Sequence, residues 1–262
     1  MFETIEIKTD ASGICTLALN RRAKRNAMSA QMMDELHAAA SELSQDTRVR
    51  AIILCANGYV FCAGGDLAWM QEQMQASDAT RAAEARRLAM MLMALNNLPK
   101  PLIGCIEGDA FGGGVGLMSV CDAVFAARDA RFGLTETRLG LLPATIGPYV
   151  IKRIGEGRAR SIFMSARLFG ADRAAELGLV SHVLDKADVA TAARAEALAY
   201  LSCAPGAVAE AKALEQAMGG EIDEAMIERS IEALTRRWAS DEARDGVAAF
   251  FAKAPAPWMP RD

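Results

Sequence analysis

Two glycine-rich stretches carry the residue types from which a catalytic site could be assembled. They read FCAGGDL at residues 61–67 and GDAFGGGVGL at residues 108–117, and each follows a predicted buried strand. A strand that runs through glycine into the start of a helix leaves backbone N–H groups without partners. Two such turns on neighbouring strands could aim two N–H groups at one oxygen atom. That arrangement is an oxyanion hole, which stabilises negative charge developing on a carbonyl oxygen.

Other roles for these glycines fit the sequence less well. Neither stretch contains the G-x-x-x-x-G-K-[ST] pattern of a phosphate loop, and a dinucleotide-binding G-x-G-x-x-G should lie near the start of its fold. A purely structural role, in which glycine permits a tight turn or close helix packing, accounts for either stretch taken alone. The occurrence of two, each between a strand and a helix, favours a functional site.

The elements that must position these turns follow from hydrophobic periodicity. FETIEIK and ICTLALN predict a hairpin, and SAQMMDELHAAASEL predicts a helix capped by Ser29. A further helix is predicted from about Ala79 to Leu95, and AIILCA and PLIGCI predict buried strands. From about Pro148 the sequence predicts helices, with one short strand in GLVSHVL. We expect an α/β core with a helical C-terminal part.

Composition excludes several classes of protein. The chain has 262 residues and a net charge of −4, which argues against nucleic acid or an anionic membrane as the main partner. We expect no membrane span, no signal peptide and a cytoplasmic location. The six cysteines form no C-x-x-C pair and are expected to be free thiols. His37 and His182 lack metal-ligand spacing, so neither a metal site nor a histidine-dependent hydrolase is expected.

The motifs together resemble the enoyl-CoA hydratase/isomerase (crotonase) superfamily. The resemblance rests on FCAGGDL, GDAFGGGVGLMSVCD and RFGLTETRLGLLP, and it continues in LNRRAKRNAMS, SARLFGADRAAELGLVSHV and DGVAAFFAKAPAPW. It covers essentially the whole chain in order. It implies a crotonase-like spiral of β-β-α units over residues 1–195, with the acyl-CoA site. It also implies a helical part over residues 196–262 that covers the active site and forms a homotrimer or a dimer of trimers.

The same resemblance implies roles for individual residues. The N–H groups of Gly65 and Gly113 would hold the thioester oxygen of an acyl-CoA, so coenzyme A is part of the substrate and no further cofactor is expected. RRAKRNAMS matches the stretch that binds the nucleotide and pantetheine of CoA, and Phe250 and Lys253 match positions that reach the CoA of a neighbouring subunit. The full set implied to bind substrate is Arg22, Lys24, Arg25, Ala27, Ala63, Asp66, Leu67, Gly112, Gly116, Arg138, Phe250 and Lys253.

Proton transfer must depend on few groups. Hydratases of the superfamily usually carry one glutamate just after the triple glycine and a second in FG-x-x-E. This sequence has Gly116 at the first position and Glu136 at the second. A glycine cannot transfer a proton, so Glu136 must do the acid–base work alone or with help from a non-homologous group.

Three outcomes are compatible with a single glutamate: hydration of an enoyl-CoA, isomerisation of its double bond from Δ3 to Δ2, or a non-catalytic acyl-CoA-binding scaffold. The segment GLLPATIGPYV departs from the glycine pair common after the catalytic glutamate. In this it resembles the branch containing methylglutaconyl-CoA and isohexenylglutaconyl-CoA hydratases. Such substrates carry a second carboxylate, for which Arg138 is a candidate partner, although a structural salt bridge is its alternative role. The sequence predicts a hydratase of this type.

Overall fold

The computed structural model describes residues 2–259, in which ten strands and eleven α-helices form a two-sheet core with helices around it. The strands are β1 Ile5–Thr9, β2 Ile14–Leu19, β3 Ala51–Ala56, β4 Val60–Cys62, β5 Leu102–Ile106, β6 Asp109–Phe111, β7 Ala123–Ala127, β8 Arg131–Gly133, β9 Phe169–Gly170 and β10 His182–Leu184. The helices are α1 Ala30–Gln45, α2 Leu67–Gln75, α3 Asp78–Asn96, α4 Gly113–Ser119, α5 Gly147–Ile154, α6 Glu156–Phe163, α7 Ala171–Leu177, α8 Lys186–Ala199, α9 Pro205–Met218, α10 Glu224–Trp238 and α11 Asp241–Ala252. Short 3-10 helices span Arg22–Lys24, Glu136–Leu139 and Tyr200–Ser202.

The strands divide between a large and a small sheet. The large sheet has the order β1-β2-β3-β5-β7-β10, and the small one has the order β4-β6-β8-β9. Strands β1 and β2 form the predicted antiparallel hairpin, with Ile5 opposite Leu19. The pairings β2–β3, β3–β5, β5–β7 and β7–β10 are parallel, as are β4–β6 and β6–β8. Because the parallel strands are covered on both faces, their sequences are nearly continuous apolar runs.

The β-β-α spiral is confirmed by the way the chain alternates between the two sheets. Strand β3 lies in the large sheet, β4 in the small sheet, and helices α2 and α3 follow. The next unit repeats the order with β5, β6 and α4, and a third begins with β7 and β8. One prediction needs correction here. The glycine turns directly follow the short strands β4 and β6, whereas the sequence patterns placed them after the long apolar strands.

Local sequence explains the elements that form the core. Ser29 caps α1 by accepting a hydrogen bond from the Met32 N–H. The apolar residues of α1 recur at helical spacing and are buried against the sheet. All five residues of β5 are buried, which is typical of a central parallel strand. Helix α2 and the two-residue strand β9 were missed in the sequence, and both are short.

The C-terminal helices α10 and α11 pack against the segment that follows Glu136. The Arg237 guanidinium of α10 donates a 2.8 Å hydrogen bond from Nε to the Gly140 carbonyl, directly after the 3-10 helix that begins at Glu136. Helix α11 packs so closely on this segment that a Cβ atom at Gly246 would lie 2.6 Å from the Leu139 carbonyl carbon. The division at residues 195 and 196, which falls within α8, remains a prediction.

Candidate active site

The two glycine turns lie side by side and each presents an unpaired backbone donor. A Cβ atom at Gly112 would lie 3.9 Å from the Gly64 Cα, and one at Gly64 would lie 3.4 Å from the Phe111 carbonyl oxygen. Gly64 has φ +93° and Gly112 has φ +51°, conformations that favour glycine. The N–H groups of Gly65 and Gly113 have no hydrogen-bond acceptor within residues 2–259. Two donors from adjacent turns are what an oxyanion hole requires.

Met28 joins the turns. Its N–H donates to the Gly64 carbonyl at 2.8 Å, and its carbonyl accepts from the Asp66 N–H at 2.9 Å, so that Met28 and Gly65 form an isolated parallel bridge. Its thioether reaches the second turn, because a Cβ atom at Gly113 would lie 2.8 Å from the Met28 Sδ. The loop before Met28 is held by the buried Asn26, whose Nδ2 donates to the carbonyls of Asn57 and Val60. The basic loop, which is the stretch RRAKRNAMS at residues 21–29, is therefore fixed relative to both turns.

Glu136 reaches the second turn from the segment after β8. A Cβ atom at Gly112 would lie 3.0 Å from the Glu136 Oε1, so the carboxyl group stands against the triple glycine. The segment is anchored on both sides of this residue. The Leu141 N–H donates to the Glu136 carbonyl at 3.1 Å, and the Thr137 hydroxyl donates to the Met164 carbonyl at 3.1 Å. The carboxyl group is thus positioned by backbone contacts rather than by a partner of its own.

The electrostatics of Glu136 suit a group that exchanges protons near neutral pH. The residue as a whole is half-buried, but its Oε2 is shielded from solvent and has no hydrogen-bond partner among residues 2–259. Burial raises the pKa of the Glu136 carboxyl to about 7, although its own backbone N–H acts in the opposite direction. A pKa matched to the working pH is what general acid–base catalysis favours.

Asp66, the other carboxylate of the region, is already engaged in structure. It caps α2 by accepting from the Ala68 N–H at 2.9 Å and the Trp69 N–H at 3.3 Å. It also pairs with the Arg21 guanidinium at 2.9 Å. Burial alone would raise the pKa of the Asp66 carboxyl, but the Arg21 pairing and the helix N–H groups outweigh burial and hold this pKa below its usual value. Asp66 is therefore a poor proton acceptor.

A cavity of about 620 Å³ opens between the glycine turns and the helices that cover them. Glu136, Gly65 and Gly113 all contribute to its wall, and the exposed Lys24 and Arg25 lie at its rim. Most of the remaining wall is apolar. Its larger members are Met28, Trp69, Met70, Leu88, Leu139, Leu141, Leu142, Ile146, Leu234 and Trp238. A cavity with cations at the rim and an apolar interior fits a molecule with an anionic end and an acyl end.

Sequence and structure comparisons agree with this geometry. The sequence profile of the Enoyl-CoA hydratase/isomerase family matches residues 9–261. The chain is a member of the enoyl-CoA hydratase/isomerase family. The mitochondrial methylglutaconyl-CoA hydratase of Mus musculus is 32% identical over 262 residues, covering 95% of this chain and 80% of its own.

Solved structures extend the likeness to the fold. An enoyl-CoA hydratase from Mycobacterium avium superposes with a TM-score of 0.88 at 30% identity, covering 99% of this chain and all (100%) of its own. An enoyl-CoA hydratase from Shewanella pealeana superposes with a TM-score of 0.81 at 32% identity, covering 98% and 97%. These matches show the crotonase fold for this family member.

Most of the site residues implied by the resemblance lie in the wall of the cavity. The predicted residues that line it are Lys24, Arg25, Ala27, Ala63, Gly65, Asp66, Leu67, Gly112, Gly113, Glu136, Arg138 and Phe250. Arg138 makes no ion pair with residues 2–259, so the structural salt bridge considered for it is not seen there.

Three of the implied residues lie outside the cavity wall. Arg22 packs its aliphatic stem near Gly58, where a Cβ atom would lie 3.6 Å from the Arg22 Cγ. Lys253 is exposed at the end of α11, with φ +51°. Gly116 is buried behind Ile146, whose side chain faces it. These three residues are not part of the wall of the 620 Å³ cavity, and their roles toward an acyl-CoA remain predictions.

The sequence patterns missed several residues of the wall. Met28 lies within RRAKRNAMS but was not among the predicted site residues, and Trp238 of α10 is distant in sequence from every motif. Trp238 packs edge-on against Trp69, with ring centroids 6.3 Å apart. Thr145 is only 3% exposed, lines the cavity and makes no side-chain hydrogen bond to residues 2–259. The departure of ATIGPYV from the common glycine pair was the one sequence signal that pointed to Thr145 and Ile146.

Residues 2–259 contain neither a cluster of metal ligands nor a helix that could span a membrane. No group of three or more histidine, cysteine, aspartate or glutamate side chains in this range is arranged to hold a metal ion. In the same range no helix combines the length and apolar character needed to cross a membrane. All six cysteines are free thiols.

Proposed function

We propose that this family member is an enoyl-CoA hydratase that uses Glu136 as its one proton-transferring side chain. The observation that carries the proposal is the Glu136 Oε2, which is buried and has no hydrogen-bond partner among residues 2–259, beside a turn whose Gly113 N–H also has no acceptor in that range. A charged or polar group is costly to bury unpaired, so such a pair of unsatisfied groups marks a place for a ligand. An enoyl thioester would offer its carbonyl oxygen to the Gly113 N–H and its reacting carbons to the Glu136 carboxyl group.

The reaction follows from these positions. The Gly65 and Gly113 N–H groups would receive the thioester oxygen and stabilise it as negative charge develops. The Glu136 carboxylate takes a proton from water while the water oxygen bonds to Cβ, and the Cα–Cβ double-bond electrons move into the enolate. The protonated Glu136 then delivers a proton to Cα, which regenerates the carboxylate and leaves a 3-hydroxyacyl-CoA.

The Thr145 hydroxyl supports hydration in particular. It is a buried polar group on the cavity wall with no hydrogen bond to residues 2–259, so it can accept or donate to a bound water. Water held by both Thr145 and Glu136 would need no second carboxylate. Thr145 would then be the non-homologous group that assists Glu136 where position 116 is glycine.

Isomerisation is the second candidate, because one observation favours it. Glu136 is the only carboxylate of the cavity wall in residues 2–259 that is free of structural partners, and moving a proton from Cα to Cγ needs one carboxylate and no water. The two reactions can be distinguished directly. The purified protein is incubated in heavy-oxygen water with crotonyl-CoA, 3-methylglutaconyl-CoA and a Δ3-enoyl-CoA, and products are analysed by mass.

Hydration adds one water bearing the heavy oxygen and removes the ultraviolet absorbance of the conjugated thioester. Isomerisation of the Δ3 substrate leaves the mass unchanged and creates that absorbance. Binding of every thioester without turnover of any would contradict both reactions and favour a scaffold.

We propose a branched, dicarboxylic acyl group such as 3-methylglutaconyl as the substrate class. Arg138 lines the cavity without an ion pair in residues 2–259, and a second carboxylate on the acyl group would supply one. A relative at 32% identity is a methylglutaconyl-CoA hydratase, which agrees with this class. The homotrimer or dimer of trimers and the cytoplasmic location remain part of this proposal.

Arg138→Gln tests the acyl class. It should lower kcat/KM for 3-methylglutaconyl-CoA by roughly 10–100-fold, since a hydrogen bond to a charged group is lost. The uncharged 3-methylcrotonyl-CoA is the matched substrate, and its kcat/KM should change less than about threefold. An equal loss for both thioesters would remove Arg138 from acyl recognition while leaving hydration itself intact.

A further inference from the structure

Gly116 has no backbone reason to be glycine. It lies within α4, and its N–H donates to the Gly112 carbonyl at 3.2 Å in an ordinary helical turn. Unlike Gly112, it has no positive φ. Glycine is among the least favourable residues in a helix interior. The reason for glycine at this position must therefore be steric.

The steric neighbour is one side chain. A Cβ atom at position 116 would lie 2.7 Å from the Ile146 Cγ2 and 3.1 Å from its Cβ, while the next atom, the Leu92 Cδ1, is 3.6 Å away. Ile146 is only 2% exposed and lines the cavity in front of Gly116. Its side chain occupies the space that any residue at 116 would need to reach the substrate.

This space lies beside the catalytic carboxyl group. Gly112 is the N-cap of α4 and its carbonyl accepts from the Gly116 N–H, so the two positions are one helical turn apart. The Glu136 Oε1 stands against Gly112. Position 116 is thus one helical turn from the glycine against which the Glu136 carboxyl group stands. In place of a second carboxylate, this chain presents an isoleucine.

We infer that Gly116 and Ile146 form a coupled pair in which Ile146 is the specificity-determining residue of the acyl cavity. Its apolar side chain closes the side of the cavity along α4, limits the width of acyl group accepted there and keeps the site to a single carboxylate. The inference rests on the proposed hydration, because it assumes that the acyl group lies against Ile146. Ile146 would exclude acyl groups that are extended or branched on that side.

Double-mutant cycles test the coupling. Gly116→Ala should lower the apparent Tm by about 3–8 °C, because overpacking against Ile146 destabilises the core. Ile146→Ala alone should also lower the Tm by leaving a cavity. The double variant should be more stable than the sum of the two losses predicts, since the added methyl group enters the vacated space.

Gly114→Ala is the matched control on the same helix. A Cβ atom at Gly114 would lie 2.9 Å from the Cys62 Cβ and 3.0 Å from the Cys62 carbonyl oxygen, away from Ile146. Its loss of Tm should simply add to that of Ile146→Ala. If Gly116→Ala is insoluble, recovery of soluble protein by adding Ile146→Ala supports the pair. Additive Tm losses for Gly116→Ala and Ile146→Ala, or no recovery of soluble protein in their double variant, would overturn the proposed pair.

Substrate specificity is the functional readout. Ile146→Ala should raise kcat/KM for more highly branched enoyl-CoA thioesters relative to crotonyl-CoA by about 10-fold, the effect of one or two methylene groups in an apolar pocket. Adding Ile146→Ala to Gly116→Glu should speed crotonyl-CoA hydration at least 10-fold over Gly116→Glu alone. An unchanged thioester preference in folded Ile146→Ala would refute the specificity role. If the wild type hydrates no thioester, the proposed function fails while the Tm cycle still decides the coupling.

Discussion

The two glycine turns have the same backbone design but use their nearby carboxylates in opposite ways. The turn at residues 61–67 carries Asp66, which caps α2 and pairs with Arg21. The turn at residues 108–117 carries no acid at Gly116, and it receives the carboxyl group of Glu136 from another segment. Burial raises the pKa of Glu136 to about 7, whereas the Arg21 pairing and the helix N–H groups overcome burial at Asp66 and lower its pKa.

We therefore propose that a carboxylate beside the glycine turns is not catalytic by its position alone. Asp66 is satisfied by a cation and two N–H groups, so protonating it would cost those interactions. At Glu136 burial outweighs the one backbone N–H that favours the charged form, so the charged and neutral forms are close in free energy near pH 7. In the proposed mechanism the first turn contributes an N–H donor, and the second contributes an N–H donor together with the neighbouring Glu136 for proton transfer.

The largest expected effect comes from Glu136→Gln. It removes the basic oxygen and keeps the size of the side chain, so kcat should fall by about 10²–10⁴-fold while the acyl-CoA Kd stays within a few-fold. Turnover is measured by the absorbance of the enoyl thioester, and Kd is measured by calorimetry with a non-reactive acyl-CoA.

Asp66→Asn is the matched control for this change. It removes a charge from the other turn but keeps an oxygen that can cap α2. It should lower the Tm through loss of the Arg21 pair, with kcat reduced far less than in Glu136→Gln. If Asp66→Asn proves as inactive as Glu136→Gln in a folded protein, the division of roles between the turns is wrong.

A smaller loss is expected when the first turn loses its donor. Gly65→Pro removes the free N–H and should reduce kcat by about 10²–10³-fold. Gly65→Ala keeps the N–H, and its Cβ would meet only ordinary contacts at 3.6 Å or more from Met70 and Trp69. The alanine variant should stay within a few-fold of wild type, with circular dichroism and oligomer size as checks on both. Equal activity of the two folded variants would remove the Gly65 N–H from the mechanism.

The smallest effect concerns stability and pH. The folded-state pKa of Glu136, about 7, lies above its ordinary value of 4.5. Between these values the unfolded chain loses the proton and the folded chain keeps it, so stability falls as pH rises, by up to about 3 kcal/mol above pH 7. The Glu136→Gln variant does not lose stability in this way, because glutamine does not ionise. Its apparent Tm should exceed that of wild type at pH 8 and match it near pH 4, as measured by calorimetry. A Tm difference independent of pH would mean that Glu136 is charged at an ordinary pKa.

Local sequence patterns were enough to predict the outline of the fold and to name the groups proposed to react. Apolar runs such as those of β3 and β5, the capped helix α1 and the hairpin β1–β2 are local patterns, and local sequence is sufficient to specify them. The glycine turns could be recognised because the chain conformation there requires glycine. Glu136 stood out because the motif around it is contiguous.

Which of these groups are paired and which are left unpaired depends on contacts that form when the chain folds. Asp66 and Glu136 are both acidic residues beside glycine turns in sequence, and it is the Arg21 contact that distinguishes them. Arg237 of α10 donates to the carbonyl of Gly140, 97 residues away in the sequence, and the neighbouring Trp238 packs against Trp69. The pairing of Gly116 with Ile146 depends on a distance between two separate helical segments. Burial, hydrogen-bond partners and side-chain volume are properties of residues brought together by folding, and no local pattern contains them.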